Sequence, residues 1–444
     1  MHLPEDFIRH TREIMGDELF NRFLDALDKE PPVSIRLNPL KLTGIEGGEQ
    51  VPWCQYGFYL ESRPQFTLDP RLHQGAYYVQ EASSMFVHHV LSQWVTSAVT
   101  MLDLCAAPGG KTTCAIAALP RGSMIYANEP IHKRAQVLSE NIQKWLSDTN
   151  EKDLATRVVT TNSYPKDYSK SNITFDVILC DVPCSGEGMF RKDPNAIKEW
   201  STAKVRQCQQ LQQSIVEDAW RCLRPGGLLI YSTCTLNTIE NEQNIQWILD
   251  NFNCEVLPVS TSPEWHITGS LLKGFDQPVY RFIPGTSRGE GLFMAAMRKG
   301  QEEGSKGQEE GSKRQEEGSK RQEEGSKRID KWSKKSSHNY ELCTMNSKLS
   351  TPALNILEPT FLNDLHEAST APRAELTYDQ AIGYLRREAI TLPPDTPRGI
   401  VVLTYRDAPL GLAKNIGNRA NNLYPKEWRI KTTHIPTIKY SAIP

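Results

Sequence analysis

The sequence predicts an α/β protein in which a doubly wound parallel sheet is flanked by a small mixed N-terminal module and a small C-terminal domain. Between residues 99 and 299, short apolar segments alternate with amphipathic segments of helical length. Strands joined by helical crossovers of this kind form parallel sheets covered by helices on both faces. The length of 444 residues is also too great for one ordinary domain. We therefore divide the chain into an N-terminal module at 1–91, the α/β domain at 92–299, a linker at 300–340 and a C-terminal domain at 341–444.

The composition excludes several classes of protein. Hydrophobic residues make up 39% and charged residues 23% of the chain, as in ordinary globular domains, and the net charge of −2 carries no information about nucleic acid. Ten cysteines in a chain of this length do not form a disulfide framework. The N-terminus lacks the apolar core of a secretory signal, and no apolar run reaches the roughly 18 residues of a membrane span. We expect a cytoplasmic protein with reduced thiols and no membrane partner.

The N-terminal module combines helical and extended patterns. Apolar residues at near-helical spacing predict one or two amphipathic helices at its start. These residues are Phe7, Ile8, Ile14, Met15, Phe20 and Phe23. A strand-like segment, VSIRLN, follows Pro31 and Pro32, and residues 63–84 are loop-rich and mix aromatic with polar side chains. The module either guides a substrate or packs against the domain that follows.

Six apolar segments of the α/β domain are predicted strands. They are MLDLC at 101–105, MIYAN at 124–128, RVVTT at 157–161, DVILC at 176–180, LLIYSTC at 228–234 and LFMAAM at 292–297. Amphipathic segments such as HKRAQVLSENIQKWL and VRQCQQLQQSIVEDAWRCL lie between them. In a doubly wound sheet, ligands bind beyond the carboxyl ends of the strands, where the strand order reverses. The residues that carry chemistry should therefore follow the strands directly.

Residues 301–328 repeat a seven-residue unit, QEEGSK followed by Gly or Arg. The period of seven is that of a coiled coil, but no position of the repeat is apolar and each copy contains a glycine. The repeat therefore predicts a solvated linker and marks a domain boundary.

The C-terminal domain has a local excess of positive charge. Residues 373–444 contain eleven lysines and arginines against six aspartates and glutamates. Aromatic residues are interleaved with these charges, namely Tyr378, Tyr384, Tyr405, Tyr424 and Trp428. Positive charge with rings that can stack on bases suits an RNA surface, whereas a small β-rich domain with ordinary surface lysines would have the same composition.

A glycine-rich turn and an acidic residue predict a nucleoside site. The strand Leu102–Leu104 leads into Cys105, Ala106, Ala107, Pro108, Gly109, Gly110 and Lys111, and a helical run follows. Adjacent glycines between a strand and a helix let the backbone approach a ligand closely, and the spacing is not that of a P-loop. Glu129 ends the next strand, where an acid would accept hydrogen bonds from ribose hydroxyls. A nicotinamide cofactor remains possible on this evidence alone.

Two cysteines follow two of the predicted strands. Asp181, Val182, Pro183 and Cys184 come after DVILC, and Thr233 and Cys234 come after LLIYS. Both thiols therefore fall where the sheet places its ligands. The other cysteines of the α/β domain stand in apolar or helical contexts and are predicted to be packing residues. They are Cys105, Cys114, Cys180, Cys208, Cys222 and Cys254.

Paired cysteines indicate methylation of a pyrimidine carbon. Carbon 5 of cytosine is a poor nucleophile until a thiolate adds to carbon 6. Asp181 is the candidate to protonate N3 as the thiolate adds, and neither thiol predicts a metal site. Methylation of an exocyclic amine typically uses Asn or Asp followed by Pro-Pro-aromatic, and the chain has DVPC at that place. The sequence therefore favours carbon over nitrogen chemistry.

Several motifs resemble those of the RNA 5-methylcytosine methyltransferases of the NOL/NOP/Sun group. They are SIRLNPLK, GAYYVQEASSM, CAAPGGKT, DVPCSGEGMFRKDP, LRPGGLLIYSTCTLNTIENEQNI and EGLFMAAMRK. The resemblance covers residues 3–299 and implies a Rossmann-like class I methyltransferase domain that uses S-adenosyl-L-methionine. It also implies that Cys234 is the nucleophile and that Cys184 promotes release of the product.

The resemblance further implies that Cys105–Lys111, Glu129 and Asp181 contact the cofactor. The family usually has an Asp after the third strand, where this chain has Asn162, which can still accept a hydrogen bond from the adenine amine. A second departure is Gly285, where relatives often have His. The mechanism also predicts a target cytosine flipped out of its stack. It predicts a Cys234 thiolate favoured by local charge, either Lys111 or a substrate phosphate.

The C-terminal segments TYDQAIGYLRRE and GIVVLTYRDAPLGLAKNIGNRANNLYPKEWR resemble the PUA-like region of a family member that acts on ribosomal RNA. The implied partner is RNA, in the first place 16S ribosomal RNA, and we expect a monomer. The alternatives are a transfer RNA cytosine-5 methyltransferase and an RNA-binding assembly factor without catalysis. Intact Cys184, Cys234 and Asp181 disfavour the inactive factor, because it has no chemical need for either thiol.

Overall fold

The computed structural model describes residues 1–42, 44–45, 48–147, 156–301, 354–432 and 442. The predicted repeat linker lies outside these residues from 302 onward. The described strands are β1 Val33–Leu37, β2 Glu49–Gln50, β3 Gly57–Leu60, β4 Tyr77–Val79, β5 Thr100–Asp103, β6 Ser123–Asn128, β7 Thr156–Thr161, β8 Phe175–Asp181, β9 Leu223–Thr233, β10 Cys254–Leu257, β11 Tyr280–Phe282, β12 Leu292–Lys299, β13 Arg373–Glu375, β14 Gly399–Tyr405, β15 Ala408–Asn415 and β16 Ala420–Asn422.

The described α-helices cover both faces of the central sheet or lie in the flanking units. They are α1 Glu5–Leu27, α2 Pro70–His73, α3 Phe86–Trp94, α4 Gly110–Ala118, α5 His132–Leu146, α6 Pro165–Ser169, α7 Pro194–Glu199, α8 Thr202–Cys222, α9 Glu242–Asn251, α10 Thr360–Glu367 and α11 Tyr378–Leu385. Among the residues that the structure describes, no helix combines the length and the apolar character that crossing a membrane requires.

The central sheet has the strand order β10-β12-β9-β8-β5-β6-β7, and β11 pairs with β12. Strands β5 to β9 are parallel, which confirms the doubly wound α/β prediction. The prediction of an all-parallel sheet is wrong at one end, because β12 runs antiparallel to both β9 and β10. A strand buried on both faces is apolar throughout in either direction, so its sequence does not reveal its orientation. The strand order reverses around β5, whose neighbours are β6 and β8.

Two apolar clusters, one on each face, hold this sheet. Met101 belongs to one cluster and Leu102 to the other, because successive side chains of a strand point to opposite faces. Helix α5 contributes Leu138 to the first cluster, and helix α8 contributes Ile215 to the second. This burial on both faces fixes the carboxyl ends of β5, β6, β8 and β9 at one edge of the sheet.

The N-terminal module consists of α1 and a small sheet of order β2-β3-β1-β4. Helix α1 is kinked at Gly16, which has φ 73°. Its Phe7 ring lies 5.0 Å from the Phe190 ring and 5.5 Å from the Trp200 ring, both of which belong to the α/β domain. Most of the apolar positions predicted from helical spacing are thus buried against that domain, which rests directly on the module.

The C-terminal domain has a sheet of order β13-β14-β15-β16 and is docked on the other two units. Gln74 of the N-terminal module donates hydrogen bonds to the carbonyl oxygens of Tyr405 (2.8 Å) and Ala408 (2.7 Å). In α5, Gln143 accepts one from the backbone N–H of Phe361 at 3.0 Å. Both contacts use buried or partly buried polar groups, so the docking is specific in its geometry.

Three of the five aromatic residues noted in the C-terminal domain are core residues, as in the alternative of an ordinary small β-rich domain. Tyr378, Tyr384 and Tyr424 are buried in its core, and the hydroxyls of the first two donate to the carbonyl oxygens of Leu68 and Leu412. These three rings therefore have no face free to stack on a base. The composition could not show whether these tyrosines are buried or exposed, because a tyrosine whose hydroxyl is hydrogen-bonded is as favourable in a core as on a surface. Six basic residues of this domain are exposed, namely Arg398, Lys414, Arg419, Lys426, Arg429 and Lys431.

Candidate active site

The turn after β5 is built around Gly109. Its φ of 110° is one that only glycine adopts without strain, and it forms the N-cap of α4. A Cβ at Gly110 would lie 3.3 Å from the ring of Tyr78. The space left by the second glycine is thus taken by an aromatic side chain of the N-terminal module. Ala106 ties the turn to the end of β6, because its N–H donates to the carbonyl oxygen of Asn128 at 2.7 Å.

The other residues of the predicted cofactor turn are packed among protein groups. Ala107 is buried, and Pro108 accepts a hydrogen bond at its carbonyl oxygen from Asn141 at 2.8 Å. Burial raises the pKa of the Cys105 thiol far above its usual value, so this sulfur stays protonated. Lys111 projects from the first turn of α4, and its Nζ lies 2.8 Å from Oδ2 of Asp181.

Glu129 follows β6 with one carboxylate oxygen that accepts no hydrogen bond from the described residues. Its Oε1 accepts a hydrogen bond from the N–H of Ile131 at 3.0 Å. Its Oε2 is buried without a hydrogen-bond partner among the described residues, and Nη1 of Arg134 approaches it to 3.4 Å. A buried acceptor of this kind is costly unless a ligand supplies the donor. The side chain of Ile131, 55% exposed, lies beside it and offers an apolar face that the sequence analysis did not identify.

Asp103, at the end of β5, is a second acid that sequence reasoning missed. Its Oδ2 accepts from the hydroxyl of Thr112 at 2.6 Å, whereas Oδ1 is buried and has no hydrogen-bond partner among the described residues. Burial raises the pKa of Asp103 to about 7. The available signal was its place within MLDLC, two residues from the end of that predicted strand.

Asn162 lies after β7, in the predicted place. Its Nδ2 donates to the carbonyl oxygens of Glu129 (2.8 Å) and Pro130 (2.9 Å). Its own N–H donates to the carbonyl oxygen of Asn355 at 2.7 Å. The amide therefore fixes the loop that carries Glu129, and contact between Asn162 and a cofactor stays a prediction.

The two predicted cysteines meet between the loops after β8 and β9. These strands are adjacent and parallel, with Asp181 opposite Ser232 in the register. The sulfur atoms of Cys184 and Cys234 lie 3.3 Å apart. The hydrogen bond between the thiols lowers the pKa of Cys234 despite its burial, and it raises the pKa of Cys184 together with burial. Cys234 thus has the lower pKa of the two thiols.

Asp181 is held on both sides at the carboxyl end of β8. Its Oδ1 accepts a hydrogen bond from Ser232 Oγ at 2.6 Å, and its Oδ2 pairs with Lys111. The Lys111 ammonium is buried, which lowers its pKa, but the carboxylate outweighs that effect and the pKa is raised. Among the charges that act on Cys234, Lys111 lowers the pKa of the thiol and Asp181 raises it. The site thus combines two thiols, of which Cys234 has the lower pKa, with an ammonium and a carboxylate.

The glycine at position 285, where relatives often have His, has a steric cause. Its φ is 84°, and a Cβ there would lie 2.4 Å from the carbonyl oxygen of Arg22 in α1. The close approach of α1 leaves no space for a histidine. The position is therefore a packing contact and has no place in the site.

The remaining predicted packing cysteines are buried or partly buried. Cys114, Cys180, Cys208 and Cys222 are buried in the helices and strands of the α/β domain, and Cys254 is partly buried. In the part of the chain that the structure describes, no group of three or more His, Cys, Asp or Glu side chains could hold a metal ion.

The strand order and the acids that end β5 and β6 define a Rossmann-like methyltransferase. Residues 95–298 match the family model of 16S rRNA methyltransferase RsmB/F, and residues 3–82 match that of the N-terminal domain of 16S rRNA methyltransferase RsmF. Residues 371–430 match the methyltransferase RsmF PUA domain. The chain belongs to the ribosomal RNA small subunit methyltransferase F family.

Individual relatives agree with this assignment. The ribosomal RNA small subunit methyltransferase F of Enterobacter sp. (strain 638) is 31% identical over 96% of this chain and 95% of its own. That of Citrobacter koseri is 35% identical over 67% of this chain and 64% of its own. A solved methyltransferase homolog protein from Pyrococcus horikoshii is 28% identical, with a TM-score of 0.53 over 67% of this chain and 100% of that one. The resemblance and the fold class are confirmed, while the boundaries predicted for the domains stay predictions.

Proposed function

We propose that this protein methylates carbon 5 of a cytidine in 16S ribosomal RNA, with S-adenosyl-L-methionine as methyl donor and Cys234 as covalent nucleophile. The observation that carries the proposal is the 3.3 Å approach of Cys184 to Cys234 beside the Lys111–Asp181 ion pair. Addition to carbon 6 and the later elimination require a thiolate, a second thiol and a source of protons. Cys234, Cys184 and the Lys111–Asp181 pair can supply them.

The residues around the turn after β5 fit S-adenosyl-L-methionine. Among the described residues, neither Glu129 Oε2, which Arg134 approaches as an ion pair, nor Asp103 Oδ1 accepts a hydrogen bond. The first oxygen suits the ribose hydroxyls, and the second suits the ammonium group of the methionine part. Ile131 supplies an apolar face for the adenine ring. The predicted contacts of Cys105–Lys111, Asn162 and Asp181 belong to the same proposal. When bound, the cofactor supplies an electrophilic methyl group.

Cys234 begins the reaction by adding its sulfur to carbon 6 of the cytosine. The hydrogen bond with the Cys184 thiol lowers the pKa of Cys234, which favours its thiolate relative to that of an ordinary cysteine. The electron pair of the 5,6 double bond then moves toward carbon 5 and the ring, which makes carbon 5 nucleophilic. The base must leave its stack for this attack, so a flipped cytosine is part of the proposal.

Asp181 and Lys111 neutralise the negative charge that develops on the ring. The Asp181 carboxylate accepts a hydrogen bond from Ser232 at one oxygen and forms an ion pair with the Lys111 ammonium at the other. We assign to Asp181 the contact with N3, with the proton drawn from the ion pair. Proton transfer by a positioned pair of this kind typically contributes about 10²–10⁴-fold to a rate.

Cys184 promotes the last step. After the methyl group is on carbon 5, a base removes the carbon-5 proton, the double bond forms again, and the carbon–sulfur bond breaks with its electrons on Cys234. N3 returns its proton to the Asp181–Lys111 pair. The thiol of Cys184, 3.3 Å away, donates a hydrogen bond to the sulfur that leaves. The raised pKa of Cys184 keeps that thiol protonated for this purpose.

Two features support RNA as the substrate. The PUA domain matched at residues 371–430 carries exposed basic residues, including Arg398, Arg419 and Lys426. The relatives are named ribosomal RNA small subunit methyltransferases, which favours ribosomal over transfer RNA. The target within that RNA is unassigned, and we propose a cytoplasmic monomer acting on it.

The test uses the Cys184→Ala variant with S-adenosyl-L-methionine and either 16S ribosomal RNA or small ribosomal subunits. A protein–RNA adduct on a denaturing gel, absent in Cys184→Ala/Cys234→Ala, is the expected result. Wild-type protein should form 5-methylcytidine, detected by nucleoside mass spectrometry. Methylation without an adduct would contradict the thiolate mechanism. Activity on transfer RNA alone would assign the substrate to the alternative, and neither adduct nor product on any RNA would favour the inactive assembly factor.

A further inference from the structure

A buried carboxylate, Glu240, reaches the loop that carries Cys184. Glu240 is fully buried, and its Oε2 accepts a hydrogen bond from the N–H of Ser185 at 3.0 Å. The same oxygen accepts from Gln212 Nε2 at 2.7 Å, and Gln212 also donates to the carbonyl oxygen of Pro183 at 2.9 Å. Glu240 therefore holds both neighbours of Cys184, one directly and one through Gln212.

A second buried carboxylate, Glu187, makes the reciprocal contact. It belongs to the Cys184 loop, yet its Oε2 accepts from the N–H groups of Leu236 and Asn237, both at 2.8 Å. These residues follow Cys234. Its Oε1 accepts from the indole N–H of Trp200 at 2.8 Å. The backbone that follows the nucleophile is thus held by an acid from the opposite loop.

Further contacts join the two loops directly. The hydroxyls of Ser185 and Thr235 lie 2.8 Å apart, and the N–H of Gly188 donates to the carbonyl oxygen of Cys234 at 2.9 Å. A Cβ at Gly188 would lie 2.8 Å from that oxygen, so only glycine allows this approach. Between them, the two acids and these contacts fix the backbone on both sides of the thiol pair.

Ionised carboxylates are needed for this arrangement. Asn237 Nδ2 donates to Oε1 of both Glu240 (2.8 Å) and Glu187 (3.0 Å). Glu240 also accepts hydrogen bonds from Ser185 and Gln212. All of these partners are N–H donors. If an amide replaced either acid, its NH₂ group would face an N–H donor in place of a carboxylate oxygen. That donor would lose its acceptor, and a buried polar group would be left without a hydrogen bond.

We propose that Glu240 and Glu187 are positioning residues that divide the reaction between them: Glu240 sets the place of Cys184 for product release, and Glu187 sets that of Cys234 for attack. This inference rests on the proposed thiolate mechanism. Neither acid touches the reacting atoms. Each acts chiefly through the backbone beside one sulfur, although Asn237 links the two acids, so its loss should slow one step much more than the other.

The test compares Glu240→Gln and Glu187→Gln in the full chain, with S-adenosyl-L-methionine and 16S ribosomal RNA. Glu240→Gln should accumulate the protein–RNA adduct, as Cys184→Ala does, with turnover lowered about tenfold or more while the single-turnover rate of adduct formation stays close to wild type. Glu187→Gln should lower the rate of adduct formation by a similar factor without accumulation. If both variants lowered both steps equally, the division would be wrong.

A conservative variant separates position from charge. Glu240→Asp keeps the charge on a side chain one methylene shorter, so it should also accumulate adduct. Wild-type behaviour of Glu240→Asp beside accumulation in Glu240→Gln would overturn positioning in favour of a charge effect. Cys184→Ala distinguishes this failure from failure of the proposed function, because absence of an adduct there removes the mechanism itself.

Two controls guard against loss of folding. Asp69→Asn alters an equally buried carboxylate in the N-terminal module, which accepts hydrogen bonds from Arg71 and Tyr77 far from the thiols. It should lower the unfolding temperature without changing the ratio of adduct to product. Gln212→Met removes the donor to Pro183 and should accumulate adduct even if Glu240→Gln does not fold. If neither Glu240→Gln nor Gln212→Met folded, the network would be a folding element and the proposal would fail.

Discussion

The guanidinium of Arg36, in the N-terminal module, donates a hydrogen bond to Oγ1 of Thr113 in helix α4 at 2.6 Å. Arg36 is fully buried, and it also donates to the carbonyl oxygens of Thr113 (3.2 Å) and Gly110 (3.3 Å). Its guanidinium lies 4.5 Å from the ring centroid of Trp145. The first turn of α4, which bears Lys111, is thus supported from a different structural unit.

Replacement of Arg36 by Lys should therefore weaken both stability and cofactor binding. Lysine keeps the charge but lacks the planar set of donors that reaches Gly110 and Thr113 together. We expect a loss of about 2–4 kcal/mol in the free energy of unfolding in urea. The dissociation constant for S-adenosylhomocysteine, measured by calorimetry, should rise. An unchanged dissociation constant in a folded variant would show that the turn does not depend on this support.

The thiol pair makes a prediction about pH. Because the hydrogen bond from Cys184 lowers the pKa of Cys234, iodoacetamide should label Cys234 in free protein at a pH below that of an ordinary thiol. Cys184→Ala removes this donor, so the pH of half-maximal labelling should move upward. Cys184 itself should resist labelling, since its pKa is raised. Equal pH profiles of Cys234 in the wild type and in Cys184→Ala would contradict the assigned direction of the hydrogen bond.

The sequence predicted that Cys184, Cys234 and Asp181 lie together, but it did not predict the contacts that support them. Cys184, Cys234 and Asp181 were predictable because the ends of parallel strands meet at one edge, and the strands were visible as apolar segments. The orientation of β12 was not, because a doubly buried strand looks alike in both directions. The unpaired oxygen of Asp103 also escaped prediction. Its lack of a partner depends on residues brought near by the fold, which no local pattern encodes.

Contacts between distant parts of the chain were equally invisible. Arg36 and Thr113 are 77 positions apart, and Glu240 reaches Ser185 across 55. The buried tyrosines of the C-terminal domain are a second case, because their interleaving with basic residues was compatible with an RNA surface and with a packed core alike. Composition reports which residues are present, whereas burial is decided by packing.

Asp103 makes a prediction in which stability and binding change in opposite directions. Burial raises its pKa from 3.8 to about 7, so the folded state holds a proton that the unfolded state has lost between those values. Folding stability therefore falls as pH rises through this window. Asp103→Asn removes that loss and can still accept from Thr112. It should unfold at a higher temperature than wild type at pH 8, with a smaller difference at pH 5.

The same variant should bind S-adenosylhomocysteine more weakly. The amide cannot pair its charge with the ammonium group of the ligand, so we expect a loss of about tenfold or more at pH 8. In the wild type, affinity should fall as pH drops below 7, because Asp103 then takes up its proton. Calorimetry at several pH values measures both effects. Unchanged affinity in Asp103→Asn would place the ammonium group elsewhere.

The last prediction concerns Asn162, which stands where the family usually has an aspartate. Its Nδ2 donates to the carbonyl oxygens of Glu129 and Pro130, and an aspartate there would turn a carboxylate toward both. Asn162→Asp should therefore weaken binding of S-adenosylhomocysteine, although it restores the residue that the family commonly has. Asn162→Ala, which removes the donors without adding a charge, should weaken binding less. Tighter binding by Asn162→Asp would instead show that direct contact with the cofactor outweighs the support of the Glu129 loop.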